Sequence, residues 1–207
     1  MSQRPKGWPP GGLHELAALE PAYLRRTDPI EQSGFHGGPA RWRAEREPIL
    51  DAIPTGGDLL DIGCANGYLL ECLVRWGRSR GLRLTPYGLD QGSRLIELAR
   101  QRFPGCADHF FVGNACEWKP ARRFRYVYML LDVVPSDEAP QHLSRVFEEF
   151  VAPDGRLIVG DYGSHSRRIP ARDVAAVLRT SGLTVTGEAT ARSLHQTRFA
   201  WTERTGC

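Results

Sequence analysis

The feature that most constrains the fold is an unbroken succession of an apolar run, small residues and a helical repeat within residues 58–76. Residues 59–62 form a short apolar run that suits a buried strand. Residues 63–67 are small enough for a tight turn, and residues 68–76 have helical spacing. A strand, a tight turn and a helix make up half of a nucleotide-binding βαβ unit. The free N–H groups and the dipole at the start of such a helix favour an anion.

Small residues recur in this turn at every second position, at Gly63, Ala65 and Gly67, and Asp61 precedes them. The spacing differs from the dinucleotide fingerprint G-x-G-x-x-G. It resembles motif I of the class I S-adenosylmethionine (SAM) methyltransferases, D/E-x-G-x-G-x-G, with Ala65 at the middle glycine, and its D-I-G-C-A-N-G wording is similar to that of many bacterial members. The resemblance implies that the turn, including Cys64, lies beside the methionine part of SAM and that Asp61 faces its amino end. The alternative is an ordinary βα turn without a ligand.

The composition is that of one ordinary globular domain: 207 residues, 41% apolar, 25% charged and a net charge of +3. This mild charge does not indicate a dedicated nucleic-acid binder. The sequence has no long apolar run and no apolar signal core near its start, so we expect a cytoplasmic protein without a membrane partner. The five cysteines form no C-x-x-C pair, which predicts reduced thiols and no metal site.

A second match to the same family is Asp90, which follows a strand predicted over residues 82–89 and lies 23 positions after Gly67. An acidic residue at this point binds the ribose hydroxyls in nucleotide-binding units. Gln91 beside it can reach the ribose or the adenine edge. The alternative is that Asp90 caps the helix predicted over residues 93–103.

The third match follows a short strand predicted over residues 109–112, at Asn114 and Ala115. In the family, a polar residue here, often Asp, meets the adenine amino group, and the next backbone N–H meets a ring nitrogen. The resemblance therefore assigns both residues to the adenine. Asn114 replaces the usual Asp, but an amide oxygen still accepts a hydrogen bond from an amino group.

The fourth predicted strand, residues 124–131, ends before Asp132. The carboxyl ends of strands form the ligand crevice in doubly wound sheets, so we expect Leu131 and Asp132 near the transferred methyl group. Transfer from a sulfonium is a direct displacement, and a base is needed only when the nucleophile must lose a proton. The candidate bases are Asp132, His165 after the fifth strand, and His36 in the N-terminal loop. The alternatives are a turn-capping aspartate and two exposed loop histidines.

The resemblance covers about residues 50–205 and implies an α/β, doubly wound three-layer sandwich around a mostly parallel seven-stranded sheet with an antiparallel last strand. It divides the chain into an N-terminal helical extension and lid, residues 1–52, and a SAM-binding methyltransferase domain, residues 53–207. The remaining predicted elements are a helix over 141–150, a turn over 152–155, a strand over 156–161, a helix over 170–180 and strands over 183–190 and 196–202. A Rossmann-like binder, a dehydrogenase-like enzyme and a non-catalytic subunit of the same fold are the alternatives.

The predicted lid is a long segment, residues 23–39, that is rich in Gly and Pro but contains Tyr23 and Phe35. A loop of this length inside a domain is either functional or disordered, and its aromatic residues argue against disorder. In small class I methyltransferases the N-terminal segment often covers the cofactor, so the resemblance predicts a lid that shapes the acceptor pocket. Pro39 is predicted to begin a helix that Pro48 interrupts.

The acceptor is the part on which the sequence is least informative. The core leaves few residues for a selective pocket, which favours a small molecule methylated on oxygen or nitrogen. RNA or protein is the alternative acceptor, because clustered arginines could follow phosphates. These arginines are Arg75, Arg78, Arg80, Arg83, Arg122, Arg123, Arg125, Arg167 and Arg168. The oligomeric state stays open.

Overall fold

The computed structural model describes residues 20–163, 168–191 and 197–205. Seven strands form one sheet in the order β3-β2-β1-β4-β5-β7-β6. The strands are β1 Gly57–Ile62, β2 Leu84–Asp90, β3 Phe110–Val112, β4 Phe124–Leu130, β5 Val151–Asp161, β6 Gly187–Thr190 and β7 Arg198–Glu203. The first five pair in parallel, whereas β7 is antiparallel to both β5 and β6. The predicted mostly parallel sheet with an antiparallel last strand is confirmed.

Helices cover both faces of the sheet: α1 Gly38–Arg46, α2 Tyr68–Ser79, α3 Ser93–Arg102, α4 Ala139–Phe150 and α5 Val174–Thr180. Successive strand residues point to opposite faces and therefore build two cores. Leu59 and Tyr126 pack with α2 and α3, whereas their neighbours Leu60 and Val127 pack with α4 and α5. Burial of these apolar stripes is the main term that stabilises the three layers. The predicted three-layer sandwich is confirmed.

Strand β6 begins at Gly187 and not at the predicted residue 183. Two other predicted boundaries are wrong for local reasons. Helix α5 begins at Val174 and not at residue 170, because the Asp173 side chain accepts a hydrogen bond from Ala176 N and sets the start of the helix. Strand β5 already begins at Val151, and its register jumps from the Phe124–Val151 pair to the Tyr126–Arg156 pair. The predicted turn, residues 152–155, is thus a bulge within the strand.

The predicted interruption at Pro48 is confirmed. Helix α1 ends at Arg46, and a 3-10 helix, Glu47–Ala52, takes over with Pro48 in its first turn, where the missing N–H is tolerated. Within the described ranges, no helix is both long and apolar enough to cross a membrane.

The direction of winding reverses between β1 and β4, the two central strands. Helix α2 follows β1 on one face, and α4 follows β4 on the other. Ligands of such sheets bind in the crevice beyond the carboxyl ends of these strands. Here the two connecting loops touch, since a Cβ atom built on Gly63 would lie 3.0 Å from Val133 Cγ2. The crevice is therefore bounded by the turn after β1 and the loop after β4.

Candidate active site

The turn after β1 uses its own N–H groups internally. Gly63 N and Cys64 N both donate to Leu89 O, at 2.7 and 3.1 Å. Ala65 N donates to Asp90 Oδ2 at 2.8 Å. These three N–H groups, which precede the helix, are therefore not available to an anion, because β2 lies close enough to accept their hydrogen bonds. A pyrophosphate would find few donors at this turn.

The conformation of the turn explains its small residues. Gly63 and Gly67 have φ angles of +85° and +73°, and Ala65, at +46°, also adopts the left-handed region. An alanine there costs about 1 kcal/mol relative to glycine. Gly63 is exposed at the crevice, whereas residues 64–67 are buried. The cofactor can therefore approach the backbone most closely at Gly63.

The Cys64 thiol points toward β2. A Cβ atom on Gly88 would lie 2.6 Å from Cys64 Sγ, so the glycine makes room for the sulfur. Burial raises the pKa of the Cys64 thiol well above its usual value, with smaller contributions from Asp90 and Asp61. The thiol is therefore neutral and is not a nucleophile.

Asp61 is a buried carboxyl group, 3% exposed, at the end of β1. In the part of the chain that the structure describes, no group donates a hydrogen bond to it and no cation pairs with it. Burial, and to a smaller extent the charge of Asp90, raises the pKa of Asp61 to about 8. A buried carboxylate of this kind is stabilised by a cationic hydrogen-bond donor. The α-ammonium group of SAM has this chemistry, so Asp61 fits its predicted role.

Both oxygens of Asp90 accept a backbone N–H, Oδ2 from Ala65 and Oδ1 from Gly92, each at 2.8 Å. Burial raises the pKa of Asp90, and these two hydrogen bonds oppose the increase. Helix α3 is capped by another residue, since Glu20 Oε1 accepts from Arg94 N at 2.8 Å. Each Asp90 oxygen keeps a lone pair, which suits the two hydroxyls of a ribose.

The predicted adenine contacts lie beyond β2 and β3. Asn114 Oδ1 accepts from Cys116 N at 2.9 Å, which folds the turn and leaves one lone pair of the amide oxygen. Ala115 and Gln91 are half-buried. The adenine roles of Asn114, Ala115 and Gln91 stay predictions. Leu131 packs in the core beneath α4, so only its backbone can border the crevice.

Asp132 lies directly after the buried Leu131 and is exposed to solvent. Protein nevertheless surrounds the carboxyl group closely: desolvation raises its pKa, Asp161 adds to the increase, and Arg172 and Arg46 oppose it. Asp132 therefore lies at the protein surface with charged groups close to its carboxyl group. Asp161 forms an ion pair with Arg172 and accepts from Gly163 N at 2.8 Å.

A pair of tyrosines lies beside Asp61. Tyr128 is the register neighbour of Asp61 on β4, and its hydroxyl oxygen lies 2.6 Å from that of Tyr162. Gly160 makes room for this contact, because a Cβ atom there would lie 3.1 Å from the Tyr128 hydroxyl. Burial raises the pKa of Tyr128 and raises that of Tyr162 to about 12, so both hydroxyls stay protonated. The sequence does not show this pair, because its members are 34 residues apart in the chain.

Arg46 joins the N-terminal segment to this tyrosine pair. Its guanidinium carbon lies 3.8 Å from the ring centroid of Tyr162, 4.2 Å from that of Phe35 and 4.4 Å from that of Trp42. Its Nη1 donates to the buried carboxylate of Glu45 at 3.1 Å. No sequence motif indicated this residue, because its importance depends on three aromatic rings from distant positions.

The predicted lid is fastened to the turn by Asn66. The Asn66 Nδ2 group donates to Pro29 O and to Gln32 Oε1, both at 3.0 Å. Its Oδ1 accepts from Tyr68 N at 3.1 Å, at the start of α2. One fully buried amide therefore ties the lid to the helix that follows the turn.

The other described residues of the lid lie in different surroundings. Ile30 and Phe35 are buried in the core on the α2 side. Burial raises the pKa of Tyr23, and the charges of Asp132 and then Asp90 raise it further, so its hydroxyl lies near both carboxylates. His36 is exposed, and His165 lies outside the described residues.

A family model described as a methyltransferase domain matches residues 35–199, well over half of the chain. A search of curated protein sequences gives no match. Solved structures match the fold over nearly its whole length. The N-methyltransferase NodS of Bradyrhizobium japonicum WM9, in complex with S-adenosyl-L-homocysteine (SAH), has a TM-score of 0.68 at 16% identity and covers 91% of this chain and 98% of its own.

Two further solved structures are similar. Magnesium protoporphyrin IX methyltransferase of Synechocystis PCC 6803, with bound SAM, has a TM-score of 0.61 at 16% identity, with 94% of this chain and 99% of that chain covered. Phosphoethanolamine N-methyltransferase 1 of Haemonchus contortus, in complex with phosphoethanolamine and SAH, has a TM-score of 0.71 at 12% identity, with 94% of this chain and 49% of that chain covered.

Proposed function

We infer the reaction from the family: the chain belongs to the class I SAM-dependent methyltransferases, and SAM is its cofactor. The acceptor that we propose is a small molecule, methylated on oxygen or nitrogen in the crevice beyond β1, β4 and β5. The observation that carries the cofactor site is the buried carboxylate of Asp61, which lacks a partner within the described ranges.

The side chains of the crevice suit SAM better than a dinucleotide. Asp61 would hold the ammonium group of the methionine part, Asp90 would hold the ribose, and Asn114 would face the adenine. The N–H groups of Gly63, Cys64 and Ala65 are already bonded, so the turn offers carboxylates and no cradle for a pyrophosphate. When bound, SAM supplies an electrophilic methyl group.

The protein contributes alignment and desolvation to this displacement. The lid, residues 23–42, supports both, because it packs into the core at Ile30 and Phe35 and is tied to the turn through Asn66. Asp132 is the described residue that can accept a proton at the mouth of the crevice, since its pKa is raised and it remains open to solvent. His36 and His165 stay untested candidates.

A small acceptor is supported by the position of the lid, which Asn66 ties to the turn after β1. Two of the solved relatives are described as acting on small molecules, phosphoethanolamine in one and magnesium protoporphyrin IX in the other. The same crevice in this chain is bordered by Tyr23, Tyr162 and Asp132.

Three of the predicted basic residues lie away from this crevice. Arg122, Arg123 and Arg125 border a surface cavity of about 360 Å³ at the amino ends of β1 and β4, the opposite edge of the sheet. Arg122 forms an ion pair with Asp58 there. A nucleic acid held by these arginines would lie far from the turn at Gly63, so we rank RNA below a small molecule.

The acceptor class can be tested without knowing the acceptor. The protein and SAM labelled on its methyl group are incubated with a cell extract, which is then separated into a small-molecule filtrate and acid-precipitated protein and RNA. We expect label in the filtrate with the wild type and none with the Asp90→Ala variant, which loses the ribose contact. Label confined to RNA or protein would refute a small acceptor.

A further inference from the structure

The charges around Asp132 are unequally compensated. Among the residues that the structure describes, the charged and titratable groups that face it are Asp161, Arg172, Arg46, Tyr23 and Tyr162. Asp161 and Arg172 form an ion pair with each other. Within the described residues, no side chain forms an ion pair or hydrogen bond with the Asp132 carboxylate. Apart from Asp61 and Asp90, which the proposed function assigns to the cofactor, Asp132 is therefore the described acidic group of the crevice that remains available to a ligand.

The nearby Arg46 does not provide the missing counter-ion. It is buried under three aromatic rings, and its Nη1 is bonded to Glu45. Glu45 is itself buried and also accepts from Arg41 at 2.6 Å. Arg46 is thus committed to the lid, and its charge acts on Asp132 only at a distance. A negative charge consequently faces the space into which β4 and β5 open.

This field selects between the two kinds of acceptor that the proposed function allows. A phenol or a carboxylic acid becomes a nucleophile as an anion, and an anion beside the Asp132 carboxylate would be repelled. An amine approaches as an ammonium ion and leaves as a methylated ammonium ion, so a carboxylate favours its binding. Tyr162 and Tyr23 would border such a cation with aromatic rings.

We propose that the acceptor is an amine whose ammonium form is held by Asp132. This inference rests on the proposed function and assigns Asp132 as the group that takes the proton. The carboxylate first accepts one proton from the ammonium ion, which leaves a neutral amine. The nitrogen lone pair then attacks the methyl carbon while the carbon–sulfur bonding pair returns to sulfur. The products are SAH, a methylated ammonium ion and a proton that Asp132 passes to solvent.

The raised pKa of Asp132 suits this exchange, because a carboxyl group that binds its proton more tightly is a better base near neutral pH. Its exposure gives the proton a route to water. Asp61 cannot take this role, since it lies buried at the end of β1 and is the partner for the cofactor.

The test uses sinefungin, a SAM analogue in which a carbon bearing an amino group replaces the sulfonium and its methyl group. Calorimetry compares sinefungin with SAH on the full chain, because their difference reports the field at the transferred methyl. We expect sinefungin to bind about tenfold more tightly than SAH, and Asp132→Asn to remove this preference while SAH affinity stays unchanged. Asp108→Asn, which removes an exposed carboxylate elsewhere, serves as the matched control.

A preference for sinefungin that survives in Asp132→Asn, or its absence in the wild type, would overturn the amine assignment. Failure of both SAH and SAM to bind would instead contradict the proposed function. The second measurement offers tyramine, which carries an amine and a phenol, and identifies the methylated atom by mass spectrometry. Methylation on nitrogen supports the inference, and methylation on oxygen overturns it.

Discussion

Replacement of Asp61 by asparagine tests the cofactor site through its proton. The pKa of Asp61 is raised from 3.8 to about 8 in the free protein, so at neutral pH the carboxyl group is mostly protonated. Pairing with the ammonium group of SAM requires the ionised form, and this proton must leave on binding. For a pKa of about 8, the ionised fraction of Asp61 rises about tenfold between pH 6 and pH 7, so the affinity for SAM should rise by the same factor. Nearly one proton should be released for each SAM bound.

The assay is calorimetry at pH 6 and pH 7 in two buffers of different ionisation enthalpy. The wild type should bind SAM about tenfold more tightly at pH 7 and should release about one proton, whereas Asp61→Asn should show neither effect. The amino group of SAM stays charged over this range, so the two proteins differ only at residue 61. Equal affinities of the wild type at both pH values, with no buffer dependence, would refute the assignment.

The raised pKa of Asp61 also predicts how the stability of the free protein depends on pH. Its folded pKa lies above the unfolded value of 3.8, so the folded state binds the proton more tightly. The contribution of this group to the free energy of unfolding should therefore be largest at low pH and should decrease as pH rises from about 4 to about 8. Asp61→Asn should remove this fall, and denaturant titrations of both proteins across that range measure it. An identical pH dependence of the two proteins would show that the burial of Asp61 carries no such cost.

Three further predictions concern the lid and the core. Asn66→Asp keeps the acceptor for the α2 N–H but removes both donors to the lid, so SAM should bind at least tenfold more weakly by calorimetry. Gln32→Glu keeps the oxygen that accepts from Asn66 and loses only its own donor to Arg26 O, so it should weaken SAM binding less. Glu45→Gln leaves buried arginine charge unpaired and should lower the free energy of unfolding by about 3 kcal/mol in urea, and adding Arg46→Met should restore part of it. His142 is buried with its pKa lowered from 6.5 to about 4, so stability present above pH 6.5 should be lost by about 3 kcal/mol as pH falls through 4, and His142→Leu should abolish this loss in acid titrations.

The order of strands and helices could be predicted because each depends on local pattern. Adjacent residues carry all three patterns at the start of the domain: the apolar run of β1, the small residues of the turn at Gly63 and the helical spacing of α2. Asp90 could be placed because its separation from Gly67, counted in residues, can be read from the sequence. The boundaries of α5 and β5 could not, since they depend on the Asp173 cap and on a bulge opposite Arg125.

The acceptor side of the crevice could not be predicted, because it is assembled from residues that are far apart in the chain. Arg46 meets Tyr162 across more than a hundred residues, and Tyr128 reaches that ring only because residue 160 is glycine. The bonding of the turn N–H groups to Leu89 O likewise depends on strand pairing. Because of these contacts, the turn after β1 presents the carboxyl groups that flank it, and not its own N–H groups, to a ligand.

The central claim is that SAM lies in the crevice between β1 and β4, and the structure of the SAH complex tests it most directly. The account predicts the ammonium group of SAH within hydrogen-bond distance of Asp61, the ribose hydroxyls on Asp90 and the sulfur facing Asp132. A ribose bound elsewhere, or an Asp61 carboxylate left without a ligand partner in the complex, would contradict it.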